Sequence, residues 1–143
     1  ANVRDALAAA RPDRKEAFFA NCERLVARYQ RTHAELKAQL RPCQGATFFV
    51  YHPAFGHFAR DYGLHQSSVE IDGKSPSPKQ LLKLTEEAQQ HGVKVIFVQP
   101  QFNIRPAKIL ADRINGRVVV LDPMGEDPGA TLQAAATAVC AEK

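Results

Sequence analysis

The side chains best suited to hold a metal ion are five histidines and three cysteines, and their placement separates them. His52 stands out in Phe48-Phe49-Val50-Tyr51-His52-Pro53-Ala54-Phe55-Gly56-His57-Phe58, where an apolar strand gives way to a helix. Open α/β sheets collect ligands in the crevice outside the carboxyl ends of their strands, and imidazole is the commonest protein ligand for metals. Asp122 holds the same kind of position in Val118-Val119-Val120-Leu121-Asp122-Pro123. A carboxylate at a strand end is costly unless it meets solvent, a helix N-terminus or a cation. One imidazole and one carboxylate make half of the four-donor shell that zinc usually takes. Each residue also has a structural explanation. A histidine beside a strand end can be capped or partly buried, and Asp-Pro is a common entry to a turn or helix.

The other candidates are weaker. His57 follows His52 by five residues, about 140° round a helix, so the two do not easily share an ion. His91 ends a helix, where the dipole favours a cation, and His33 and His65 have no acidic or histidine companion at ligand spacing. Gln99, Glu126 and Asp127 follow strand ends and can support a ligand without touching the ion. Cys22, Cys43 and Cys140 show no CxxC spacing, which argues against zinc ribbons and redox motifs. Cys22 falls on the apolar stripe of a helix and reads as a small buried hydrophobe. Cys43 and Cys140 can pair in an oxidising compartment. No GxSxG, GxGxxG or P-loop sequence is present, so no enzyme class is indicated.

The elements that must position His52 and Asp122 are legible in the pattern. Residues Ala1 to Ala10 are helical in character, and Arg11-Pro12-Asp13 breaks that helix, with Asp13 suited to cap the next. From Asp13 to Leu40, the apolar residues Phe18, Cys22, Leu25, Tyr29, Leu36 and Leu40 form one stripe on a charged rod near 40 Å long. Beyond Arg41-Pro42 strands and helices alternate. Strands are expected at Thr47–Tyr51, Ser67–Ile71, Lys94–Val98 and Val118–Leu121. Helices are expected at Pro53–Tyr62, from a capping box at Ser77 to His91, at Arg105–Ile114 and at Gly129–Cys140. The fold class is α/β: a four-stranded, mostly parallel sheet flanked by helices and preceded by a long helix.

A chain of 143 residues with 45% hydrophobic and 24% charged residues suits one globular body. No apolar run approaches the roughly 20 residues that cross a bilayer. The lack of a leader-like segment is read as a cytosolic protein or a processed one. The net charge of +4 arises before residue 44, where nine basic residues are interspersed with five acids and no aromatic platform. That is a solvated helix face, and no nucleic-acid partner is expected.

Four segments, in order, carry a resemblance: Tyr51-His52-Pro53-Ala54-Phe55-Gly56-His57-Phe58-Ala59-Arg60-Asp61-Tyr62-Gly63-Leu64; Glu70-Ile71-Asp72-Gly73-Lys74-Ser75-Pro76-Ser77-Pro78; Val93-Lys94-Val95-Ile96-Phe97-Val98-Gln99-Pro100-Gln101-Phe102; and Val120-Leu121-Asp122-Pro123. They resemble the C-terminal half of the zinc and manganese solute-binding proteins of ABC transporters, over essentially all of Ala46 to Cys140. The resemblance implies one lobe of a two-lobe periplasmic or extracytoplasmic lipid-anchored protein. Residues 1–42 are then the end of an N-lobe helix and the long linking helix, and residues 43–143 the C-terminal α/β lobe. His52 and Asp122 become the two metal ligands of that lobe. The ion is Zn2+, with Mn2+ the alternative, because a histidine at the first position favours zinc. Two further histidines belong to an N-terminal lobe missing from this chain. The partners implied are that lobe, the metal ion and a membrane permease, and a homodimer of the isolated lobe is the consequence of its bared apolar surface. His57 stands where the family commonly has an aromatic, and Gln99 where Glu is frequent. The alternative function is a protein-interaction module with a vestigial metal site.

Overall fold

The computed structural model describes residues 2–141, so the helical start expected at Ala1 lies outside the described residues. Two compact units divide the chain, Ala1–Glu35 and Leu36–Lys143. In the first, α1 (Asn2–Ala10) is followed by a single 3-10 turn, Pro12–Arg14, and by most of α2 (Lys15–Leu40). Asp13, expected to cap α2, instead sits inside the turn and accepts two hydrogen bonds from the Arg11 guanidinium, at 3.0 and 2.9 Å. Pro12 starts the turn one residue early and leaves Asp13 within reach of Arg11. Of the apolar stripe on α2, Leu36 and Leu40 are buried, while Leu25 and Tyr29 are exposed. Cys22, expected to be buried, is only half-buried. Periodicity marks a stripe, but burial requires an opposing surface, and Leu36 and Leu40 have theirs in the core of the second unit.

That core is built on four parallel strands, β1 (Thr47–Val50), β2 (His65–Ser68), β3 (Val95–Val98) and β4 (Arg117–Val120), ordered β2-β1-β3-β4. The connecting helices are α3 (Gly56–Asp61), α4 (Pro78–Gln90) and α5 (Arg105–Arg113), and α6 (Pro128–Cys140) closes the chain. Side chains alternate across a strand, so each apolar run feeds two cores. Phe48, Val50, Val95 and Phe97 join Leu36, Leu40, Phe58, Ala135 and Ala136 on one face. Phe49, Ile96 and Val98 join Leu81, Leu84, Ala107 and Leu110 on the other. Burial on both faces is why β1 and β3 are uninterrupted apolar runs.

Most boundaries in this unit fall within one residue of the sequence reading, and two elements differ by more. The strand expected at Ser67–Ile71 lies at His65–Ser68, because its register is set by β1, with Thr47 opposite His65 and Val50 opposite Ser68. β2 is a polar edge strand, and the apolar Val69 and Ile71 that suggested a later start lie at its exit. The helix expected from Pro53 begins only at Gly56. Residues 51–53 form a bend and 54–55 an irregular stretch, where the Phe55 N–H donates to Gln66 Oε1 at 2.8 Å. At the far end, Gly63 stops α3 with φ +67°, a region open to glycine.

Ser77 caps α4 as expected. Its hydroxyl accepts from the Gln80 N–H, and Gln80 Oε1 accepts from the Ser77 N–H at 2.8 Å. A Cys43–Cys140 disulfide, with Cα atoms 5.8 Å apart, joins the 3-10 turn Arg41–Cys43 that follows α2 to the end of α6 across 97 residues of sequence. Such a closure restricts the unfolded chain far more than the folded one. Reduction, or Cys140→Ser, is expected to lower the unfolding free energy by about 2–5 kcal/mol. Urea denaturation with and without reductant measures this, and coincident curves would show that the link contributes nothing. Ser77→Ala is expected to lower stability by about 1 kcal/mol through loss of the cap, read as a shift of the same midpoint with an unchanged slope.

Candidate metal centre

The sheet order places the candidate site. From β1 the chain passes to the outer strand β2, then crosses to β3 on the other side of β1. The C-terminal ends of β1 and β3 therefore flank the point where the strand order reverses, the usual crevice for ligands in such sheets. His52 leaves β1 there and Gln99 leaves β3. Gln99 is buried, and its amide clasps the main chain of His52: Nε2 donates to the His52 carbonyl at 2.7 Å, and Oε1 accepts from the His52 N–H at 3.4 Å.

Continuing the register of β1 with its two neighbours puts Glu70, His52 and Gln99 in one row. The Glu70 N–H continues the ladder into this row, donating to the Tyr51 carbonyl at 3.1 Å. Its carboxylate Oε1 lies 2.6 Å from His52 Nδ1. The Glu70 side chain is 8% exposed, while that of His52 is 48% exposed. Phe102 stacks on the imidazole, with centroids 5.2 Å apart and planes within 18°, and Tyr51 packs against Phe102 at 5.3 Å. His52 is thus an open ring on a closed base.

Asp122 leaves β4, two strands away from β1. Strand spacing puts its backbone about 10 Å from that of His52. Its Oδ1 accepts from the Met124 N–H at 2.9 Å and from Gln101 Nε2 at 3.4 Å. Its main-chain carbonyl accepts from Thr131 Oγ1 and the Gly125 N–H, each at 3.2 Å. The Asp-Pro turn is therefore real, and among the described residues Oδ2 accepts no hydrogen bond. The segment 99–102 touches both candidates: Gln99 and Phe102 hold His52, and Gln101 reaches Asp122.

No cluster of three or more His, Cys, Asp or Glu that could hold a metal occurs among the described residues. Of the supporting residues suggested by sequence, Gln99 contacts His52, whereas Asp127 caps α6, accepting from the Ala130 N–H at 3.1 Å. Glu126 is exposed. His57 lies beside a surface groove of about 280 Å³ with Phe58, Pro123 and Leu132. His91 follows α4 as its cap, and His65 opens β2. Glu70 and Phe102 were not singled out by sequence. The available signal was a lone carboxylate in Val69-Glu70-Ile71, at the same edge of the sheet as His52.

Comparison with known proteins agrees with this architecture. A solved structure of ZnuA superposes with a TM-score of 0.88 at 32% identity, covering 94% of this chain and 52% of that one. The high-affinity zinc uptake system protein ZnuA of Haemophilus influenzae is 33% identical over 130 residues, 87% of this chain and 37% of that protein. The zinc-binding protein AdcA of Streptococcus pyogenes is 31% identical over 125 residues, 86% of this chain and 24% of that protein. The chain thus spans between about a quarter and about half of the relatives it matches. Residues 1–138 match the family described as ZnuA, zinc-uptake complex component A, periplasmic, and the chain belongs to that family.

Proposed function

We propose that the chain is the C-terminal lobe and linking helix of a metal-capturing component of an ABC transporter, with residues 1–42 as linker and 43–143 as lobe. It receives Zn2+, with Mn2+ the lesser alternative, outside the cytoplasm and passes it to a membrane permease. The observation that carries this reading is His52: an imidazole half open to solvent, clasped by Gln99 at the strand-order reversal, in a chain of the zinc-uptake family. Asp122 is the second ligand, offering the unoccupied Oδ2. Imidazole nitrogen and carboxylate oxygen suit zinc. Two donors leave half of a tetrahedral shell to be filled, and an N-terminal lobe supplying histidines completes it. The Cys43–Cys140 disulfide fits a periplasmic or lipid-anchored extracytoplasmic setting, since such links persist in oxidising compartments.

The exposed apolar residues Val3, Leu7, Leu25, Val26 and Tyr29 favour a second reading, an interaction module or homodimer with a vestigial metal site. Size-exclusion chromatography with and without zinc separates the two. A zinc-independent dimer supports the second reading, and a monomer supports the first.

Calorimetry with Zn2+ is expected to give micromolar or weaker binding, at or above about −8 kcal/mol. Sub-micromolar binding by a monomer would contradict the half-site. His52→Ala is expected to weaken binding at least ~10-fold, about 1.4 kcal/mol, and Asp122→Asn to weaken it while keeping the turn to Met124. Unchanged affinity in either variant removes that residue from the ligand set.

A further inference from the structure

We propose that Glu70 is a positioning residue for metal capture: its carboxylate takes the Nδ1 proton of His52 in a hydrogen bond and so leaves Nε2 as the donor atom presented to the ion. The inference rests on the reading of His52 as a ligand and adds which nitrogen binds and what selects it. A neutral imidazole carries one proton, and the partner of one nitrogen decides the state of the other. A free histidine side chain in water favours the proton on Nε2, the wrong arrangement for binding through that atom.

Glu70 reverses the preference by geometry. It is buried, so its carboxylate needs a hydrogen-bond donor, and among the described residues the one within reach is His52 Nδ1, at 2.6 Å. At that distance the two atoms share a hydrogen bond in which the carboxylate oxygen accepts and Nδ1–H donates. Among the described residues Nε2 has no hydrogen-bond partner, and the ring is 48% exposed. The other contacts remove the remaining freedoms. Gln99 fixes the main chain from both sides, and Phe102 fixes the ring plane. Glu70 itself is held by the ladder, through its N–H to the Tyr51 carbonyl. A carboxylate behind a ligating histidine also raises the basicity of the free nitrogen, and losing such a partner typically weakens metal binding about 10–100-fold.

The test uses the whole chain, metal-free and then titrated with Zn2+. Side-chain 15N spectra at about pH 8, where an ordinary imidazole is neutral, report which nitrogen of each histidine bears the proton. The His52 signals are those lost in His52→Ala. The expected result is a protonated Nδ1 and a bare Nε2 in the native chain. In Glu70→Leu the proton moves predominantly to Nε2, and Zn2+ affinity falls about 10–100-fold. Glu70→Gln keeps an oxygen acceptor, so it should retain the native tautomer and recover most of the affinity. A native His52 protonated on Nε2 overturns the inference, even if Glu70→Leu fails to fold. So does a folded Glu70→Leu that binds Zn2+ like the native chain while His52→Ala does not, and in that case His52 stands as a ligand without help from Glu70. Zn2+ binding unchanged in His52→Ala instead removes the ligand reading, and the inference with it.

Discussion

The pairing of β1 with β3 is the constraint on which the rest of the second unit depends. These two strands are neighbours in space but are separated in sequence by β2 and two helices. Placing β2 on one side of β1 and β3 on the other reverses the direction in which the sheet grows. Parallel crossovers keep one hand, so α3 packs on one face while α4 and α5 pack on the other. The helices diverge at this junction, outside the C-terminal ends of β1 and β3. His52 and Gln99 emerge there and are bonded to each other.

The same arrangement separates stability from binding. The centres of β1 and β3 hold Phe48, Phe49, Ile96 and Phe97, each at most 1% exposed, with Phe48 and Phe97 rings 5.3 Å apart. Side chains buried this completely on both faces hold the strands rigidly in register. Immediately beyond Tyr51 and Val98 the chain reaches the polar side chains of His52 and Gln99, whose neighbours are set by that register. A site built at the rim of a rigid sheet keeps its geometry while its donor atoms remain open. It also supplies few donors, because neighbouring strands each contribute about one side chain at the rim.

Much of this was legible in the residues. The apolar runs of β1 and β3, the Ser77 capping box and the Gly63 stop are local signals, and each appears where its own side chains place it. His52 and Asp122 were legible as polar residues ending apolar strands. The less visible features lacked local signals. β2 is polar and takes its register from β1, so its start was read two residues late and its end three. The irregular stretch before α3 depends on Gln66, eleven residues beyond Phe55. The stripe on α2 was visible as a period, but period alone does not say whether a partner surface is present. Asp13 was a good cap by type and lost that role to a neighbouring arginine.

The sequence by itself determined the alternation of strands and helices, the two-faced core and the presence of an imidazole and a carboxylate at strand ends, because these follow from side-chain chemistry and from periods of two and 3.6 residues. Only the tertiary structure decided that Glu70 stands behind His52, that Gln99 and Phe102 hold it, and that Cys43 meets Cys140. Those contacts join residues 18, 47, 50 and 97 positions apart. The physical reason is the parallel ladder: which residues share a row depends on how separate strands align, and no single stretch of chain contains that information.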